Sequence, residues 1–159
     1  MIKLSSLLKE ANEVDQKYMR EAYLFFINYL RLPLERMKLI FGVLGVDPVS
    51  SQPTQAEVTV KKGTVPRYEI VVRVNNPMSK AEQVRHLAHE MQHVRQVEDG
   101  RLDIHTNTWD GVVYPLPKSD AEYKNLPWER DAHGSVMELE LAFNRYMREK
   151  GAVKKVIKI

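Results

Sequence analysis

The chain has 159 residues, 43% hydrophobic and 28% charged, with a formal net charge of +3 and no cysteine. That is enough for one domain with a real hydrophobic core, and it excludes global disorder, disulfide staples and cysteine-based metal sites. Acidic and basic residues are interleaved, no apolar run reaches membrane-spanning length, and Lys9, Glu10, Glu13 and Asp15 interrupt the start too early for a signal-peptide core; the expectation is a cytoplasmic protein with neither nucleic acid nor membrane as partner.

In chain order, Leu4, Leu7, Leu8, Ala11, Val14, Tyr18, Ala22, Phe25 and Tyr29 keep helical spacing over about seven turns. Leu32-Pro33 breaks that helix, and Pro33 is placed to open a second one. Leu34, Met37, Ile40, Phe41 and Leu44 give this second helix an apolar face, and Gly45 ends it. The expectation is an N-terminal helical hairpin over residues 1–46, followed by a loop over 47–55 that is rich in proline, serine and threonine.

Residues 56–61 and 67–74 then alternate apolar and polar side chains and predict a β-hairpin through Lys62-Gly63 and Pro66. Asn75-Asn76-Pro77 turns the chain into a helix whose start carries a capping box, Ser79 and Glu82, and whose C′ position is Gly100. A polar stretch to Asn107 leads into a short strand over 109–114 containing an Asp110-Gly111 turn or bulge, stopped by Pro115 and Pro117. A last helix is predicted from about Pro127 to Lys150 with Gly151 as terminator, and residues 152–159 read as a basic, extended tail of strand-type composition. The whole is one domain, with its core over 56–150.

The middle helix contains His89-Glu90-Met91-Gln92-His93. Histidines four apart stand on one helix face, one turn above the other, and are able to bind the same ion. Zn²⁺ suits imidazole and takes four ligands, leaving room for a third protein ligand and a water, whose proton Glu90 is placed to accept. Val84, Leu87, Ala88, Met91 and Val94 form the buried stripe of the same helix, and at ~100° per residue the histidines point away from it, into a cleft or another layer. All five histidines fall between His86 and His133. For the third ligand, Glu129 sits in the first turn of the last helix beside an apolar stripe, where a carboxylate needs compensation by a cation or by the helix N-terminus. His133, four residues on, faces the same direction and is chemically an equal candidate.

A mid-chain HExxH followed some 35 residues later by Pro127-Trp128-Glu129-Arg130-Asp131-Ala132 resembles the gluzincins, and more narrowly the small single-domain minigluzincins and related metallopeptidase-like proteins of bacteria and phages. The resemblance spans roughly residues 68–143. It implies an α+β, zincin-like core with a small sheet packed on the pentad helix and a peptide or protein substrate extended along the sheet's edge strand. It also implies zinc held by His89, His93 and Glu129, Glu90 as general base, and peptide hydrolysis as the activity. The chain departs from larger gluzincins in carrying His133 where they often have an Asp that supports a zinc histidine; His133 is then a supporting candidate, as is His86, which flanks the pentad. Tyr123 and Tyr114 are candidate donors to a developing oxyanion, Tyr123 being the catalytic choice. His105 reads as a solvated loop residue, Trp109 and Trp128 as core or cleft wall, and Arg85, Arg95 and Arg101 as solvated helix charges. The alternative to an enzyme is a catalytically silent module of the same fold whose N-terminal helices dock a partner.

Overall fold

In the computed structural model the backbone is described for residues 4–48, 50–73 and 78–157, and the side chains for 15–48, 50–73 and 78–151. Helix α1 (Leu4–Leu30) is followed by a single 3₁₀ turn (Leu34–Arg36) and strand β1 (Met37–Gly42). Then come β2 (Ala56–Val60), β3 (Tyr68–Arg73) and α2 (Lys80–Glu98). The short strands β4 (Leu102–Asp103), β5 (Thr108–Trp109) and β6 (Val112–Val113) precede α3 (Asp120–Lys124) and α4 (Pro127–Ile157). The architecture is α+β: four helices and two small three-stranded sheets among the described residues. The Asn75-Asn76-Pro77 turn lies outside them.

The expected second helix is a strand. Leu34–Arg36 makes one 3₁₀ turn, and Met37–Gly42 pairs in parallel with β3, Met37 opposite Tyr68 through Gly42 opposite Arg73. The apolar set 37, 40, 41, 44 fits a helix, but 37, 39, 41 fits a strand equally well, and a short apolar run with Ile40 and Phe41 does not distinguish them. Pairing decides it: β3 is the central strand of the order β1-β3-β2, and only a strand on that side satisfies its outer backbone groups. Met37 is buried, and Leu39 and Phe41 pack on the core. The N-terminal region is therefore one helix and one strand, with no helical hairpin.

The expected β2–β3 hairpin forms, antiparallel from Ala56 opposite Val72 to Val60 opposite Tyr68. Tyr68, Ile70 and Val72 alternate inward from β3, and α2 lays Val84, Leu87, Ala88, Met91 and Val94 against that face. Met19, Ala22, Tyr23, Phe26 and Ile27 of α1 and Leu139 and Phe143 of α4 complete one core cluster. A second, smaller cluster of Leu102, Trp109, Leu126 and Trp128 lies under the β4-β5-β6 sheet, with Tyr114 edge-on to Trp128 at 5.8 Å. Asp110 and Gly111, at φ 47° and 84°, form the two-residue turn between β5 and β6, as an Asp-Gly pair with both residues left-handed should.

The ends of α2 follow the sequence. The Ser79 side chain accepts from the Glu82 N–H at 3.2 Å. At the other end Gly100 has φ +74°, its N–H bonds to the Val97 carbonyl, and the Arg101 N–H bonds to Gln96, a Schellman stop. Gly151 does not terminate α4, which runs on to Ile157; an interior glycine costs a helix only about 1 kcal/mol relative to alanine. The tail is thus helical, not extended, up to the last described residue.

Candidate metal centre

Helix α4 runs antiparallel along α2, so that Arg85 meets Glu140 at one end while His93 meets Glu129 at the other. This brings the first turn of α4 over the pentad. The His89 Nε2 atom lies 2.9 Å from Glu129 Oε2, His93 Nε2 lies 3.1 Å from Glu129 Oε1, and the two Nε2 atoms are 3.1 Å apart. Four ligands about 2.0–2.1 Å from Zn²⁺ in a tetrahedron stand roughly 3.3–3.4 Å from one another, so the three atoms already sit a few tenths of an ångström from a tetrahedral face. His89, His93 and Glu129 form a group positioned to bind a metal ion.

Electrostatics agree with the geometry. Glu129 is only 6% exposed. Burial by itself would raise its pKa, but the hydrogen bonds to His89 and His93 and their charges bring it down to about 2. Burial would lower His93, yet the bond to Glu129 and the charges of Glu90 and Glu129 raise it to about 9. Both shifts have one meaning: this buried cluster seeks positive charge, which a proton or a divalent cation supplies.

Glu90 is on the same helix, and one of its oxygens, Oε2, accepts the Val58 N–H at 3.0 Å. Bonds such as Lys61 N–H to Arg67 and Arg73 N–H to Gln55 put the odd-numbered residues of β2 toward β3, so the Val58 N–H points out from the open edge of the sheet. Burial pushes the Glu90 carboxyl up, against the lowering effect of His93 and His89. Tyr123, on α3, hydrogen-bonds Glu129; burial first, then the Glu129 charge and that bond, hold its hydroxyl well above the usual range, so it stays a neutral donor.

The other histidines separate. His86 and His133 are exposed and line the cleft beside the triad. His133 does not join the convergent group and, four residues beyond Glu129, lines the cleft wall without a hydrogen bond to it. His105 is exposed with its backbone N–H on Asp103. Tyr114 packs on Trp128 and is no part of the triad's surroundings. The arginines are not simply solvated: Arg85 pairs with Glu140 at 2.7 Å, Arg95 bonds the last carbonyl of α1 at Leu30, and Arg101 bridges Asp110 over the Trp109 ring at 4.2 Å.

Sequence reasoning overlooked Gln96. It is buried at 1% exposure, and its Oε1 lies 2.8 Å from His93 Nδ1. Its amide nitrogen donates to the Trp128 carbonyl at 2.9 Å and to Asp131 Oδ2 at 2.8 Å. The signal was present, a polar residue one turn after a ligand histidine on the same face. The triad opens into a cleft of about 1430 Å³. Its walls include residues 45–48 and 52–58 together with Leu116, Tyr123, Arg130 and His133. No protein-family model matches the chain, and no curated protein or solved structure matches it either.

Proposed function

We propose that this chain is a zinc-dependent peptidase. The observation that carries the reading is the convergence of His89, His93 and Glu129 beside Glu90 at the base of an open cleft. Two imidazoles and one carboxylate are the donor set of hydrolytic zinc, which leaves a coordination position for water. When bound, zinc supplies a Lewis acid for the scissile carbonyl and makes its water acidic near neutral pH. The residues of the chain do the remainder. Glu90, anchored through one oxygen by the Val58 N–H, takes the proton from the attacking water and returns it to the leaving amine. Tyr123 offers a neutral hydroxyl within reach of Glu129, a donor available to charge developing in the substrate. A single small ligand needs about 300–1,000 Å³; a cleft of about 1430 Å³ suits an extended chain, and β2 offers an open edge for it to lie against.

The competing idea, a silent module whose N-terminal helices dock a partner, is weakened over the described side chains of α1, where Met19, Ala22, Tyr23, Phe26 and Ile27 are consumed in the core. The test is metal analysis of protein purified without chelator, followed by a peptide-library digest. Wild type should take up one zinc per chain and cleave; Glu90→Gln should keep the metal and lose turnover by about 10²–10⁴-fold. Equal turnover in the two would end the proposed role of Glu90, and equal zinc in wild type, His89→Ala and His93→Ala would end the site.

A further inference from the structure

We propose that Gln96, backed by Asp131, is a positioning residue of the metal site: it fixes the hydrogen of His93 on Nδ1 and so turns the Nε2 lone pair toward the ion. The inference rests on the metal reading above and concerns how the chain prepares a ligand.

The amide itself dictates the assignment. Its nitrogen can only donate and its oxygen can only accept. Both neighbours on one side, the Trp128 carbonyl at 2.9 Å and Asp131 Oδ2 at 2.8 Å, are acceptors. The nitrogen must therefore face them, which leaves Oε1 toward His93 Nδ1 at 2.8 Å. An acceptor there requires a hydrogen on Nδ1. A metal-binding imidazole is neutral and has one N–H, so in that state Nε2 is the bare nitrogen, and it is the atom that faces His89 Nε2 and Glu129 Oε1 at 3.1 Å each. A flipped amide would set its oxygen against the Trp128 carbonyl and Asp131 Oδ2 in the dry interior.

The arrangement is also reciprocal. Helix α2 carries His93 and Gln96; α4 carries Glu129, with Trp128 and Asp131 on either side of it. Each helix thus supplies a ligand, and α4 supplies the groups that orient the support of the ligand on α2. Asp131 is steadied in turn by Arg101, with Nη1 at 3.8 Å from Oδ1. A line of polar contacts runs from the surface at Arg101 through Asp131 and Gln96 to His93. A buried glutamine whose only task was packing would not need three bonds that together select one tautomer of a ligand.

The experiment uses the full chain, with and without zinc, and reads two quantities. Long-range ¹H–¹⁵N spectra of the histidine rings report which His93 nitrogen carries hydrogen, and chelator competition reports zinc affinity. Wild type should show a slowly exchanging Nδ1–H on His93 in both states. Gln96→Met, of similar length but without the acceptor, should lose that protection and weaken zinc by about 10–100-fold. Asp131→Ala should weaken zinc by less, and Asp131→Asn, which keeps an acceptor, should restore most of the affinity. A His93 with hydrogen on Nε2 and a bare Nδ1 in the zinc-loaded wild type overturns the proposal. So does Gln96→Met binding zinc within about twofold of wild type with an unchanged histidine spectrum. If Gln96→Met fails to fold, the Asp131 pair decides: equal weakening in Asp131→Ala and Asp131→Asn counts against the relay. A wild type that takes up no zinc ends the metal reading instead, and the metal-free His93 spectrum, recorded above pH 9 where the ring is neutral, still decides for or against the Nδ1 assignment.

Discussion

The helix pair α2–α4 has two halves built on opposite principles. Toward the start of α2 the seam is apolar: Val84, Leu87, Ala88 and Met91 share one cluster with Leu139 and Phe143. Toward its end the same two helices bury His93, Gln96 and Glu129 against each other. Apolar side chains could fill that second half with less desolvation, since polar and charged groups are costly to bury even when well paired. The first half is what a helix pair needs in order to fold. The second half is what it carries in order to act, and its polar groups are accordingly joined into one satisfied network.

If that division is right, stability and metal binding should separate by position along one seam. The largest stability effect belongs to the apolar half. Phe143 is fully buried and in ring contact with Tyr18, Phe25 and Phe26, so Phe143→Ala should cost about 3–5 kcal/mol in denaturant unfolding. Its zinc affinity, measured below the unfolding transition, should stay close to that of wild type. Loss of zinc binding in the still-folded variant would mean that the two halves are not separable.

The polar half should respond in the converse way. Zinc at a thousandfold excess over Kd stabilises a folded site by about 4 kcal/mol, and chelation removes that increment. His93→Ala should therefore abolish the zinc-dependent rise in melting temperature while leaving the chelated protein folded. An undiminished zinc-dependent rise in this variant would place the ion elsewhere.

The two halves were unequally legible in the sequence. The pentad, the buried stripe of α2 and the Pro127 start of α4 are local patterns of a helix, and fixed spacing on a helix translates into a face without knowledge of anything else. Glu129 could be singled out because a carboxylate in a first turn beside an apolar stripe asks for a cation, although His133, one turn on and facing the same way, is also a good zinc ligand by chemistry. Only the way α4 lies on α2, with Glu129 and not His133 over the pentad, separates them, and that is a tertiary fact. β1 was illegible for a similar reason, since Met37–Gly42 is a strand by virtue of Tyr68–Arg73, some thirty residues away. The network through Gln96 and Asp131 likewise depends on which acceptors a distant segment brings, whereas the short α3 is capped locally, by Ser119 accepting the Glu122 N–H, and that signal was in the sequence.

The smallest effects belong to the two ends of α2, and they sharpen the comparison because each end serves a different half. Ser79 caps the end beside the apolar half through the Glu82 N–H, and Ser79→Ala should cost about 1 kcal/mol. Gly100 closes the other end in a left-handed conformation, and Gly100→Ala should also cost about 1–2 kcal/mol, because a Cβ is disfavoured there. The two losses are thus of similar size, but their consequences should differ. The stop at Gly100 lets the Arg101 N–H reach the Gln96 carbonyl and sets Arg101 beside Asp131, so disturbing it moves the groups behind His93. Ser79 is more than two turns from His89 and touches none of them. Zinc affinity by chelator competition should then fall in Gly100→Ala and hold in Ser79→Ala at matched stability. An equal fall in both would show that affinity tracks the stability of the helix as a whole and not the polar network at its end.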